Sequence, residues 1–319
     1  ADWLENHYGE KFHFIPSPEV VDEKVKEEVN ELKDGEVALL ENTRFVAGET
    51  KNDEEFSKQL ASLADLYVND AFGTSHRSHS SNVGVASILP SAVGFLIEKE
   101  IDVMGKALEA PEHPFVSILG GAKVSDKIGV IENLIGKVDT ILIGGGMAYT
   151  FLKAQGKEIG KSLLEEDKMD LSLELIEKAK ANNVEILLPV DAVIADEIES
   201  GVETEIVDID NIPADKEALD IGPKTAQIFA EKIKDAKTVV WNGPMGVFEI
   251  KEFSNGTNEV AKALAESEAT TIVGGGDSAL AIEMAGLKDK ITHVSTGGGA
   301  SLEFLEGKDL PGISAIEDK

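Results

Sequence analysis

Three apolar runs of strand length in this chain stop at a glycine triplet: TILIGGG ends at Gly146, TTIVGGG at Gly276 and HVSTGGG at Gly299. A fourth run, FVSILGG, ends at Gly121. Glycine behind a buried strand lets the backbone turn sharply, opens positive φ, and lets amide N–H groups approach an anion with no Cβ in the way. Each triplet precedes a helix-compatible stretch, so several helix N-termini, with free N–H groups and partial positive charge, are expected along one rim. That pattern predicts a parallel α/β sheet with a phosphate site at its carboxyl edge.

The rest of the chain keeps the same rhythm. KFHFI, EVALL, DLYVNDAF, EILLPVDAVIA and TVVWNGP read as further strands, and helical periods over residues 54–65, 165–182 and 223–235 lie between them. Such alternation argues for βαβ units. Ser125-Asp126 before KIGVIENLIGK reads as a cap, and Gly222-Pro223 places proline at a first helical position. Residues 91–110 read as one amphipathic helix with Val93, Leu96, Ile97, Ile101, Met104 and Leu108 on its apolar face, ending before Pro111. A domain boundary is expected there, with the helix as a hinge between two α/β lobes.

Composition limits what the rim serves. Sixty acidic against thirty basic residues give a formal charge of −30, which repels nucleic acid and anionic membrane surfaces. There is no cysteine, so disulfides and thiolate metal sites are excluded. No run approaches the roughly 18 apolar residues of a membrane span, and the first residues lack the pattern of a secretory signal, so a cytoplasmic location is expected. For that reason Asn255-Gly-Thr257 is not read as a glycosylation site.

Two nucleotide motifs fail. G-x-G-x-x-G built on Gly144 and Gly146 needs glycine where Tyr149 stands, which argues against a nicotinamide dehydrogenase. The near-Walker segment from Gly156 to Ser162 is one residue short and follows a helical stretch. The cations are more informative. Arg44 follows the strand EVALL, and the loop after DLYV carries His76, Arg77 and His79, so two strand-end loops gather positive charge in an acidic protein. They suit a multiply charged anion such as a phosphate with a carboxylate. The H-x-x-H spacing of His76 and His79 has no neighbouring carboxylate at ligand spacing, and a metal reading is set aside.

In GGAKVSDK, Lys123 and Lys127 follow a strand end, with Lys127 expected in a first helical turn. A lysine there opposes the helix dipole unless an anion compensates it, which favours a phosphate-holding role. Asp277, behind the loop VGGGDS, is either a hard oxygen ligand for Mg²⁺ or the cap of the following helix, and both readings stand.

LLENTRF, NDAFGTSHRSHSS, LGGAKVSDKI, IGGGMAYTFL, WNGPMGVFE, VGGGDS and STGGGASLEFLEGK, in that order, resemble the signature blocks of the phosphoglycerate kinase family from about residue 10 to the end. The resemblance implies two Rossmann-like parallel-sheet lobes joined by a helical hinge. A 3-phosphoglycerate lobe is expected over 1–90 with 305–319 packing back onto it, a hinge over 91–111, and a nucleotide lobe over 112–304. It implies reversible phosphoryl transfer between 1,3-bisphosphoglycerate and Mg-ADP, with Mg²⁺ and ATP or ADP as cofactors, in a monomer whose lobes close on both substrates.

By the same resemblance Arg44, His76 and Arg77 hold the glycerate substrate. Lys127 takes a nucleotide phosphate and Lys123 stands beside the transferring group, served also by the amides of Gly297, Gly298 and Gly299. Gly144 and Gly145 form the adenine wall, Asn242 and Pro244 lie near the nucleotide, and Glu249 takes the ribose. Gly275, Gly276, Asp277 and Ser278 form the phosphate and metal loop, with Asp277 as metal ligand. The family's opening R-V-D-F-N-V-P strand and its S-H-L-G-R-P loop are not among these residues. The expectation is an incomplete first lobe, with uncovered strand edges and little turnover; a catalytically inactive nucleotide-binding scaffold is the alternative.

Overall fold

The computed structural model describes residues 2–9 and 11–316. The chain divides into two compact units, Ala1–Glu98 with Asp309–Lys319, and Lys99–Lys308.

The first unit carries the helices α1 (Asp2–Tyr8), α2 (Glu23–Asn30) and α3 (Glu54–Ala61), and the strands β1 (Phe12–Ile15), β2 (Val37–Leu40), β3 (Tyr67–Asn69) and β4 (Ser91–Val93). Its strands form two parallel pairs, β1 with β2 and β3 with β4. Val20, Val21 and Phe56 form a small core against which Leu40 of β2 packs. The stretch after Asp309 belongs to this unit: Gly312 donates its N–H to the Ser75 carbonyl at 2.8 Å and accepts from the Asn69 side chain at 2.7 Å.

Helix α4 (Phe95–Glu109) begins in the first unit and continues in the second. The helix expected from residue 91 therefore starts four residues late. Residues 91–93 pair with β3, and the Asp70 carboxylate accepts the N–H groups of Leu96 and Ile97 at 2.8 and 3.1 Å. Pairing with a strand outcompeted helical periodicity, and a carboxylate 26 residues upstream satisfies the orphan amides of the first turn.

In the second unit, β5 (Phe115–Leu119), β6 (Thr140–Ile143), β7 (Glu185–Leu187), β11 (Thr238–Asn242), β12 (Thr270–Gly274) and β13 (His293–Val294) make one parallel sheet in the order β13-β12-β11-β5-β6-β7. Every residue of β5, β6 and β11 is buried, as expected of strands covered on both faces. The covering helices are α5 (Ile128–Leu134), α6 (Met147–Ala154), α7 (Met169–Ala181), α8 (Pro223–Asp235), α9 (Asn255–Glu266), α10 (Gly276–Met284) and α11 (Gly299–Leu305). A short α12 (Pro311–Ser314) follows in the first unit. Trp241, Phe229, Ile118 and Leu264 anchor a large core cluster. A fully buried side chain of this size contributes about 2–3 kcal/mol.

EILLPVDAVIA, read as one strand, is two. Pro189 cannot donate to a ladder, so β7 stops before it and β8 (Asp191–Ala195) joins a separate antiparallel sheet in the order β10-β8-β9, with β9 (Glu205–Asp208) and β10 (Glu217–Ile221). That small sheet has no counterpart in the sequence reading.

Candidate functional site

All six strands of the main sheet are parallel, so the loops after β5, β6, β11 and β12 leave from one edge. The loops after β5, β6 and β11 interlock through their backbones. Gly120 donates to the Asn242 carbonyl, Gly121 to that of Pro244, and Gly145 to that of Met245, each at 3.0 Å. Gly243 has φ +97°, and a Cβ there would meet the Gly120 oxygen at 2.2 Å. Gly145 has φ +66°, and its Cβ would meet the Gly121 oxygen at 2.6 Å. These glycines let main chains approach where any side chain would part them.

Among the loops opens a cavity of about 320 Å³. Lys123, Lys127, Asn242, Pro244, Gly275, Gly276, Asp277, Ser278, Gly298 and Gly299 all line it. Gly297 does not; it is buried behind, donating to the Ser295 hydroxyl at 3.1 Å. Gly275, at φ +91°, caps α10, whose first-turn amides face the same space. Ser278 is buried, and its hydroxyl accepts the Gly243 N–H at 2.6 Å, fastening the α10 loop to the β11 loop.

Lys127 stands at the cap position of α5, and neither Ser125 nor Asp126 caps that helix. Ser125 turns instead to Glu165, which accepts its N–H at 3.1 Å and its hydroxyl at 2.6 Å. A distant carboxylate beats the local cap and fixes the lysine-bearing loop. Lys127 Nζ donates to Asn242 Oδ1 at 2.5 Å. Burial pulls the ammonium below the usual lysine range, against the attraction of Asp126, Asp277 and Glu306. Asn242, oriented by that bond, leaves its buried Nδ2 without a partner. An amide donor and a partly desolvated ammonium at one cavity wall are an unfilled demand for anionic oxygen.

Asp277 is exposed, sits in the first turn of α10 and makes no capping bond; Gly275 takes the cap position. The capping alternative is thereby corrected. Among the described residues no three His, Asp or Glu side chains converge as a metal cage. One free carboxylate beside a phosphate cavity does fit Mg²⁺, which takes one or two protein carboxylates and completes its shell with phosphate oxygens and water.

A second cavity of about 220 Å³ shares Gly121, Ala122, Pro244 and Asp277 with the first. Its wall is mainly apolar: Leu163, Leu219, Val247 and Phe248, with Gly145, Gly146 and Glu249 at its boundary. Gly144 does not line it but packs behind, where a Cβ would strike Met245 Sδ at 2.5 Å. Ala218 and Leu219 of β10 escaped the sequence reading, because ALDI ends at no glycine run. The Gly222-Pro223 helix start just after it was the available signal.

In the first unit, Arg44 lies on a 3₁₀ turn whose N–H is held by Asn42 Oδ1 at 3.0 Å. Arg77 Nε donates to His76 Nε2 at 3.3 Å, and His76 Nδ1 is buried without a partner. His79 is buried 3.7 Å from Glu49. Burial holds its pKa below the usual histidine value; Glu49 opposes this, and Arg44, Arg77 and His76 push the same way as burial. Arg44, Arg77 and His76 thus all lie near enough to His79 for their charge to act on it.

Residues 1–308 match the family model for phosphoglycerate kinase. The chain belongs to the phosphoglycerate kinase family. It is 62% identical over all 319 residues to a phosphoglycerate kinase of Finegoldia magna, of which it spans 81%, and 62% identical to one of Clostridium botulinum, of which it spans 80%. Solved phosphoglycerate kinases share the fold. That of Coxiella burnetii superposes with a TM-score of 0.88 at 42% identity, covering 99% of this chain and 79% of that one. That of Pyrococcus horikoshii gives 0.86 at 36%, covering 99% and 80%. The α/β architecture with parallel sheets in two units is thus that of the family. Among the described residues no helix is long and apolar enough to cross a membrane.

Proposed function

We propose that this chain transfers a phosphoryl group reversibly between 1,3-bisphosphoglycerate and Mg-ADP, giving 3-phosphoglycerate and Mg-ATP. Family membership supports the reaction. The observation that carries its placement is the unpartnered Asn242 Nδ2 beside the partly desolvated Lys127 in a cavity ringed by glycine amides.

A transferring phosphoryl group spreads negative charge over its equatorial oxygens, so catalysis asks chiefly for alignment and fixed positive groups. Lys127 and Asn242 receive nucleotide phosphate oxygens. Lys123, on the loop held by Glu165, stands beside the reacting phosphoryl group, and the amides of Gly298 and Gly299 accept charge as it develops. Asp277 is the residue that would hold Mg²⁺, which supplies charge neutralisation on the phosphates when bound. The smaller cavity takes adenine against Leu219, Val247 and Phe248, with Glu249 at the ribose.

Arg44, His76 and Arg77 receive the glycerate substrate's anionic groups. Family membership supports a cytoplasmic protein and a monomer, the latter checked by sedimentation.

The test is a coupled assay with 3-phosphoglycerate and Mg-ATP, run beside calorimetry with Mg-ADP. Measurable turnover with clear Mg-ADP binding is expected. Absence of nucleotide binding would sink the reading.

A further inference from the structure

Asp220 lies in β10, is 1% exposed and faces no cation among its described partners. Its Oδ2 accepts the Gly256 N–H in the first turn of α9 at 2.7 Å, and its Oδ1 accepts the Ile221 N–H at 2.9 Å. Two glycines press on the carboxylate: a Cβ at Gly246 would lie 2.4 Å from Oδ1, and one at Gly256 would lie 2.5 Å from it. Gly246 belongs to the loop 244–249 that walls the smaller cavity.

The strand itself is built around this residue. Ala218 pairs with Ile194 and Asp220 with Val193, so Leu219 is the extra residue of a bulge. Bulges re-aim side chains beside active sites. Here Leu219 lines the cavity while its carbonyl accepts the Val247 N–H at 2.9 Å. The turn that Asp220 holds also carries Thr257, whose hydroxyl accepts the Met245 N–H at 3.0 Å. One buried carboxylate thus fixes the first turn of α9, and through Thr257 the loop 244–249.

We propose that Asp220 is a positioning residue for the nucleoside end of the ligand, setting how firmly the wall of Leu219, Gly246, Val247 and Phe248 closes on it. The proposal rests on the nucleotide reading above. Burial pushes the Asp220 carboxyl up to about 7, against the two N–H donors. Tyr149 is the titratable side chain that feels the Asp220 charge, Asp191 and Glu217 act on that same tyrosine, and none of these is cationic. A carboxylate retained at that cost, at a bulge, is being used to hold something.

The experiment compares wild type with Asp220→Asn, which keeps the shape but turns an amide donor toward one of the two N–H groups. Calorimetry with Mg-ADP and with inorganic tripolyphosphate separates the nucleoside wall from the phosphate cavity. Expected is a roughly tenfold loss of Mg-ADP affinity with tripolyphosphate unchanged within about twofold, and a rise in KM for Mg-ATP that exceeds any fall in kcat. Gly246→Ala, which leaves the carboxylate in place but forces the loop off it, is expected to show the same selective loss and serves if Asp220→Asn does not fold. Mg-ADP affinity within twofold of wild type, or equal weakening of both ligands, overturns the proposal. Wild type failing to bind Mg-ADP at all would instead overturn the nucleotide reading.

Discussion

Lys127 carries two electrostatic penalties at once. It caps a helix, where its charge opposes the dipole, and burial pulls its ammonium below the usual range. Its ammonium donates to Asn242 Oδ1, with only the more distant charges of Asp126, Asp277 and Glu306 to favour it. Phosphate oxygens relieve both penalties, so the free energy lost in isolation returns on binding. Lys127→Met keeps the length and removes the charge. It is expected to weaken Mg-ADP and lower kcat/KM by about two to three orders of magnitude, the range seen for a single preorganised donor. Folding is expected to be kept, since a desolvated cation without a carboxylate partner adds little to stability. Calorimetry with a denaturant midpoint measured alongside checks both. Lys127 and Asp277 were legible in the sequence because charges beside glycine loops are anomalous in themselves. Asp220 was not, because its meaning lies in Gly256, 36 residues away, and Gly246, which no local pattern links to it.

At the scale of elements, α8 follows its proline and acquires the expected span, and the four glycine-ended runs are strands of one parallel sheet. What escaped was decided by partners: β4 by pairing with β3, the split at Pro189 by the second sheet, and the start of α5 by Glu165. Helix α4 shows a further long-range tie. Its Glu100, fully buried, meets His293 Nε2 of β13 at 2.6 Å and accepts the Thr296 N–H at 2.9 Å, just before the glycine triplet 297–299. Burial opposes ionisation of Glu100, but the hydrogen bonds from His293 and Thr296 outweigh it and hold the carboxyl below its ordinary value. A depressed folded pKa means stability that is present above the unfolded value and lost as pH falls through the folded one. Glu100→Gln is expected to cost about 1.5–3 kcal/mol at pH 7 by removing the charged acceptor of the hydrogen bonds from His293 and Thr296. It is also expected to flatten the loss of stability on acidification below pH 5. Urea melts of both proteins at pH 7 and pH 4 measure this, and equal differences at the two pH values would refute the linkage.

At the scale of the whole molecule the excess of thirty acidic groups, sixty against thirty, sets two effects of salt in opposition. Most of the ion pairs, such as Lys24 with Glu28 and Lys106 with Asp102, are exposed and contribute under 1 kcal/mol each, so screening them costs little. The unpaired acidic charges repel one another across the surface, and the Debye length contracts from about 30 Å at 0.01 M to about 10 Å at 0.1 M. Salt should therefore stabilise the fold. The site answers with the opposite sign. The potential around Lys123, Lys127 and the glycine amides is local and attractive to phosphate, so salt screens it and its anions compete for it. Raising sodium chloride from about 20 mM to about 0.5 M is expected to increase Tm by a few degrees, about 3 °C per kcal/mol of relieved repulsion for a unit of this size. The same change is expected to weaken Mg-ADP binding several-fold. Calorimetric scans and titrations across one salt series measure both. A falling Tm would show that the exposed pairs outweigh the net charge, and an unchanged Mg-ADP affinity would show that the cavity binds its ligand without the lysines.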